Sequence, residues 1–163
     1  MLIKDVIFQL EQLAPSFYAE DFDNTGLLVG NKHNALSGIL VTLDTLETVV
    51  DEAIDNGCNL IVSFHPIIFK GLKKLNGSNY VERTILKAIK NDIAIYAIHT
   101  NLDNVHLGVN AMICEKLGLS NTEILAPKKA TLSKLEFFVP KESTQKVLEA
   151  IHEAGAGQVG NYQ

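Results

Sequence analysis

Between residues 38 and 118 the chain alternates short apolar runs with amphipathic stretches, and no other feature limits its fold as tightly. Ile39-Leu40-Val41-Thr42-Leu43 is short, apolar and rich in β-branched residues, follows Ser37-Gly38, and reads as a buried strand. Leu46, Val49, Val50, Ala53 and Ile54 then recur at helical spacing. Asp44 with Glu47 offers a capping-box start to that helix, and Asn56-Gly57 a stop. The cycle repeats with Leu60-Ile61-Val62 as a strand, a loop through Gly71 and Gly77, and a helix carrying Val81, Ile85, Ala88 and Ile89 on one face. Ile93 to Ile98 is a third strand, apolar on both faces, as expected of a parallel strand covered by helices. A last helix carries Val109, Met112, Ile113 and Leu117 and ends at Gly118. With right-handed crossovers this is an α/β fold, a parallel, helix-covered sheet. Residues 1–13 predict an additional N-terminal helix, and Leu27-Leu28-Val29 an edge strand in the otherwise loop-like stretch 14–30.

Composition narrows the function. The 163 residues are 47% hydrophobic and 20% charged, which describes an ordinary globular chain that needs no disulfides. Fourteen Lys and Arg against nineteen Asp and Glu leave a net charge of −5. A duplex-DNA reader or an anionic-membrane binder requires the opposite sign, so neither direct nucleic-acid nor membrane binding is expected. The longest apolar runs fall far short of the roughly 20 residues that a membrane span requires, and Met1-Leu2-Ile3-Lys4-Asp5 does not open a secretory signal. Cys58 and Cys114 form no C-x-x-C and read as reduced thiols packed as small apolar residues, which points to a cytoplasmic protein.

A composition break falls at Ala126-Pro127-Lys128-Lys129, dividing the chain into an expected 1–126 and 130–163. Beyond it Leu135 to Val139 reads as a strand, and Lys141 to Ala154 as a helix with Val147, Leu148 and Ile151 inward. That pair does not close a core of its own, so it pairs with something else or belongs to a domain the chain does not finish. Gly155-Ala156-Gly157-Gln158-Val159-Gly160 matches G-x-G-x-x-G, but it follows a helix instead of a strand. It reads as a helix stop and turn, not as a dinucleotide loop.

Open parallel sheets bind ligands beyond the carboxyl ends of their strands. Here those ends carry Asp44, then Ser63-Phe64-His65-Pro66, then His99-Thr100-Asn101-Leu102-Asp103-Asn104. Two imidazoles, His65 and His99, and two carboxylates, Asp44 and Asp103, therefore share one rim and suit a borderline divalent metal. Pro66 stiffens the backbone beside His65. Each carboxylate has a second reading. Asp44 is either a helix N-cap or a substrate-binding group on the rim, and Asp103 with Asn104 could cap a helix beginning near His106. His33, His106 and His152 fall outside the rim and read as surface.

Three separated segments, Asp23-Asn24-Thr25-Gly26-Leu27-Leu28-Val29-Gly30, Ser63-Phe64-His65-Pro66-Ile67-Ile68-Phe69 and His99-Thr100-Asn101-Leu102-Asp103, resemble the Nif-three-like family. Its members carry the name GTP cyclohydrolase 1 type 2 homologue. The resemblance covers about residues 1–125, and 132–162 is similar to the opening of a ferredoxin-like insert of the PII and CutA kind. It implies a two-metal site with ligands from a His-His-Pro triplet, from the Asp of a Leu-Asp pair, and from a His and a Glu near the C-terminus. Carried over, His65 takes the second imidazole position and Asp103 the carboxylate position as metal ligands. Phe64 stands at the first imidazole position, and the C-terminal His and Glu have no counterpart. His99 is then the candidate for proton transfer or ligand orientation. The resemblance further implies one or two divalent ions (zinc, iron or manganese) per complete chain and hydrolysis of a small nucleotide-like or phosphorylated substrate. The alternative is a non-catalytic regulatory role with a protein partner. A hexamer built from dimers is implied in either case.

Overall fold

The computed structural model describes residues 1–126 and 134–157, and the chain divides into two units, Met1–Asn121 and Thr122–Gln163. In the first unit, four strands form one sheet: β1 (Gly26–Val29), β2 (Ile39–Thr42), β3 (Leu60–Ser63) and β4 (Ala94–Ala97). They lie in the order β1-β4-β3-β2. The three strands of the alternation, β2, β3 and β4, are parallel and in one register, so that Thr42, Ser63 and Ala97 end level. The expected edge strand is present as β1, but it runs antiparallel to β4, with Gly26 facing Ala97. The sheet is therefore mixed. Where β1 ends, Gly30 has φ +95° and an added Cβ would lie 2.8 Å from the Ala94 Cβ, so only glycine fits.

Five helices belong to this unit: α1 (Ile3–Leu13), α2 (Glu47–Asp55), α3 (Tyr80–Lys90), α4 (Thr100–Asn104) and α5 (Val109–Lys116). One face of the sheet packs Ile61 and Ile95 against Val50 and Ala53 of α2 and Ile85 and Ala88 of α3. The other packs Leu60, Val62, Ala94 and Tyr96 with Ile3 of α1. β3 and β4 are buried at every position, which is why their sequences are apolar without alternation. Each large side chain so buried contributes on the order of 2 kcal/mol. The Tyr96 hydroxyl reaches across to donate to Glu11 at 2.7 Å, and Ser16 donates to the same carboxylate, which pins the end of α1. β2 is covered less completely: Val41 is 76% exposed, and among the described residues no strand pairs with its outer edge.

Several expectations are corrected. α2 begins at Glu47 with Leu46 as its N-cap and no side-chain cap bond, so Asp44 lies two residues ahead of the capping position and pairs with His65. Asp103 and Asn104 lie within α4, and α5 opens at Gly108, where an added Cβ would meet the Leu102 carbonyl oxygen at 1.8 Å. In the second unit residues 135–139 form no strand: a strand needs a ladder partner, and none is present among the described residues. The expected helix is α6 (Thr144–Glu153), led in by a single 3₁₀ turn at Lys141–Ser143. Val147 and Ile151 are half-buried there, whereas Leu148 is exposed. Gly155 and Gly157 take positive φ after the helix, as a stop and turn requires, while 158–160 and the break at 127–129 lie outside the described residues. Cys58 and Cys114 are free and half-buried, and His33, His106 and His152 are exposed. Among the described residues no helix is long and apolar enough to cross a membrane.

Candidate functional site

Register alone brings four side chains to one edge of the sheet. Beyond the level ends of β2, β3 and β4, each chain places its second residue: Asp44, His65 and His99. Adjacent strands lie about 4.8 Å apart, and the two imidazole centroids are 5.4 Å apart. β1 enters the sheet where β4 leaves it, so Asp23, just ahead of Gly26, arrives beside His99. The outcome is a row in the order of the strands: Asp44, His65, His99, Asp23.

Each imidazole is held by its flanking carboxylate through Nδ1. His65 Nδ1 is 2.8 Å from Asp44 Oδ1, and His99 Nδ1 is 3.0 Å from both oxygens of Asp23. An ionised carboxylate can only accept. Nδ1 therefore donates in both pairs, and in the neutral ring Nε2 carries the lone pair. Phe64 packs edge-on against both imidazoles, with centroids 5.1 and 5.2 Å away.

The two pairs sit in different surroundings. The Asp23 side chain is 0% exposed and also accepts from the backbone N–H of Asn24 at 2.7 Å, that of Thr100 at 3.1 Å, and the Thr100 hydroxyl. Burial by itself would push this carboxyl up. The donors from Thr100, His99 and Asn24 outweigh it and hold Asp23 below the usual range. Its partner His99 is 19% exposed. Asp44 and His65 are 56% and 45% exposed, and Asp44 Oδ2 has no hydrogen bond among the described residues.

Of the residues expected on the rim, the structure therefore brings together Asp44, His65 and His99. Asp103 is half-buried on α4, and its carboxylate makes no hydrogen bond or ion pair among the described residues. Sequence reasoning missed the roles of Asp23 and Thr100. The signal was present: once β1 is recognised as the antiparallel neighbour of β4, the residues just before β1 must meet those just after β4.

The family model for Duf34/NIF3 (NGG1p interacting factor 3) matches residues 1–162. The chain belongs to this family. A Bacillus subtilis member named GTP cyclohydrolase 1 type 2 homolog is 44% identical over 160 residues, which is 98% of this chain and 43% of that protein. The crystal structure of a Bacillus cereus protein related to NIF3 superposes with a TM-score of 0.76 at 39% identity, over 99% of this chain and 45% of its own. A Staphylococcus aureus structure gives 0.72 at 42% identity, over 77% of this chain and 36% of its own. The chain thus spans less than half the length of these Duf34/NIF3 relatives.

The donor set can be weighed against the ion that the resemblance implies. His65 suits a ligand, since a metal-bound imidazole commonly donates its other N–H to a carboxylate and here Asp44 receives it. Asp103 has a carboxylate free of other partners among the described residues. Phe64 has no lone pair to offer. Among the described residues no group of three or more His, Cys, Asp and Glu side chains could hold a metal ion. The residues present suit part of the coordination of one ion and do not suit a pair.

Proposed function

We propose that this chain contributes the histidine rim of a cytoplasmic metal-dependent hydrolase acting on a small nucleotide-like or phosphorylated substrate. The observation that carries the reading is the row Asp44, His65, His99, Asp23. It holds two imidazoles in one defined tautomer, beyond the carboxyl ends of parallel strands, where α/β sheets take their ligands. His65, through Nε2, and Asp103 would hold a zinc, iron or manganese ion together with further ligands. When bound, such an ion lowers the pKa of its water towards 7 and polarises the scissile group. Asp44 anchors His65 and keeps Oδ2 open to accept from a substrate hydroxyl or amine. His99 takes and returns a proton at Nε2. Phe64, edge-on to both rings, keeps water from the flank between them.

The residues after 130 are proposed as the opening of a ferredoxin-like insert, and the assembly as a homo-oligomer, a hexamer by the resemblance. A panel of nucleotides and phosphate esters, offered to the metal-loaded protein and to His65→Ala, tests the activity. A loss in the variant of about 10²-fold or more is expected; equal rates, or no turnover of any member, overturn the reading. No turnover would favour a non-catalytic metal-binding protein with a protein partner. One observation points that way: Phe22 and Phe69 lie 6.4 Å apart, both exposed, in the segments that lead to Asp23 and follow His65.

A further inference from the structure

We infer that Asp23 is the positioning residue of this rim: it fixes His99 as the Nδ1–H tautomer, so that the lone pair stands on Nε2. For its catalytic meaning the inference rests on the reading of His99 as the proton carrier. The physical assignment does not.

The direction of every hydrogen bond around Asp23 is determined. The Thr100 hydroxyl accepts from the Glu20 backbone N–H at 3.0 Å, and so turns its single proton to Asp23 Oδ2. The Thr100 N–H donates to that same oxygen, and the Asn24 N–H donates to Oδ1. Backbone amides cannot accept. Both oxygens are therefore surrounded by donors, and His99 Nδ1, 3.0 Å from each, must be one more. Because the carboxylate is 0% exposed, water is not at hand to take over any of these bonds.

The support behind Asp23 is also fixed. Pairing of Gly26 with Ala97 sets its height beside β4, and Asn24 Nδ2 donates to the Ile68 carbonyl at 2.5 Å. The Asp23-Asn24 turn thus holds the exit of β4 with one side chain and the loop after His65 with the next. Asp44 offers His65 no comparable restraint, since that pair is a single exposed contact. Asparagine cannot replace Asp23. At the Oδ1 position its amide would face the Asn24 N–H and His99 Nδ1–H, and at the Oδ2 position the Thr100 N–H, the Thr100 hydroxyl and His99 Nδ1–H, so either orientation sets donor against donor.

The test is ¹⁵N–¹H imidazole NMR of the full chain near about pH 8.5, where histidine is mostly neutral. Wild-type His99 is expected with its proton on Nδ1 in nearly all molecules; a proton on Nε2 overturns the inference without any variant. In Asp23→Asn the Nδ1–H share should fall below half while His65 keeps its spectrum, which also reports that the fold survives. An unchanged His99 in a folded Asp23→Asn overturns the inference as well. In the turnover assay the same variant should lose kcat by about 10²-fold or more with KM little moved. If the wild type turns nothing over, the proposed activity fails while the tautomer result still stands or falls separately.

Discussion

Asp23 and Asp44 each hold one imidazole by its Nδ1, yet the first is fully buried among four donors and the second is more than half exposed with one. The same pair of residue types therefore does two jobs on one edge. A buried carboxylate that loses its partners, or donors that lose their carboxylate, are left with no water to replace them, so the pair is rigid and costly to break. An exposed pair is screened and exchanges readily with solvent, so it can hold a ring loosely and still offer an oxygen to a ligand. The row joins a fixed half to an adjustable half.

The largest test of that contrast is truncation. Asp23→Ala should cost about 3 kcal/mol in urea unfolding, because it strands buried N–H groups and a hydroxyl. Asp44→Ala should cost about 0.5 kcal/mol or less. Similar losses from both would erase the distinction.

Acid comes next. The folded Asp23 carboxyl lies below its ordinary value of 3.8, so its ionised form stabilises the fold above that pH. The contribution is lost as pH falls through the lower folded value, so stability should decline below about pH 4. Asp23→Asn should flatten the decline. A slope remains, because Glu11 is also held low: burial raises it, and donors from Ser16 and Tyr96 outweigh that. An unchanged acid profile in Asp23→Asn would break the argument.

The smallest difference concerns two threonines. Thr100→Val removes a hydroxyl that serves Asp23 and should cost about 1 kcal/mol. Thr42→Val removes one that donates to the Asp44 backbone carbonyl at 3.0 Å beside solvent, and should stay within about 0.5 kcal/mol. Paired thermal melts resolve the difference.

Much of this architecture was legible in the residues, for reasons that also explain the gaps. β3 and β4 were readable because two-sided burial leaves an unbroken apolar run, and their ends then placed His65 and His99 on one rim. Asp23 was not readable, because its role depends on the direction of β1, which only tertiary pairing decides. Asp44 satisfies the local rule for a helix cap, yet α2 begins only at Glu47 with Leu46 as its N-cap, and register brings the His65 imidazole beside Asp44. Leu135 to Val139 has strand composition, but strand composition without a neighbour is only an extended segment.

The incompletely covered β2 has a practical side. Ile39, Val41 and Leu43 face outwards along a strand whose outer N–H and C=O groups pair with no strand among the described residues. Such an edge is where identical chains adhere to one another. The net charge of −5 keeps copies apart in dilute buffer, and concentrated salt screens that repulsion while strengthening apolar contact. For this chain, the ionic strength of the storage buffer becomes a structural variable, and low salt is the condition in which its edge stays clean.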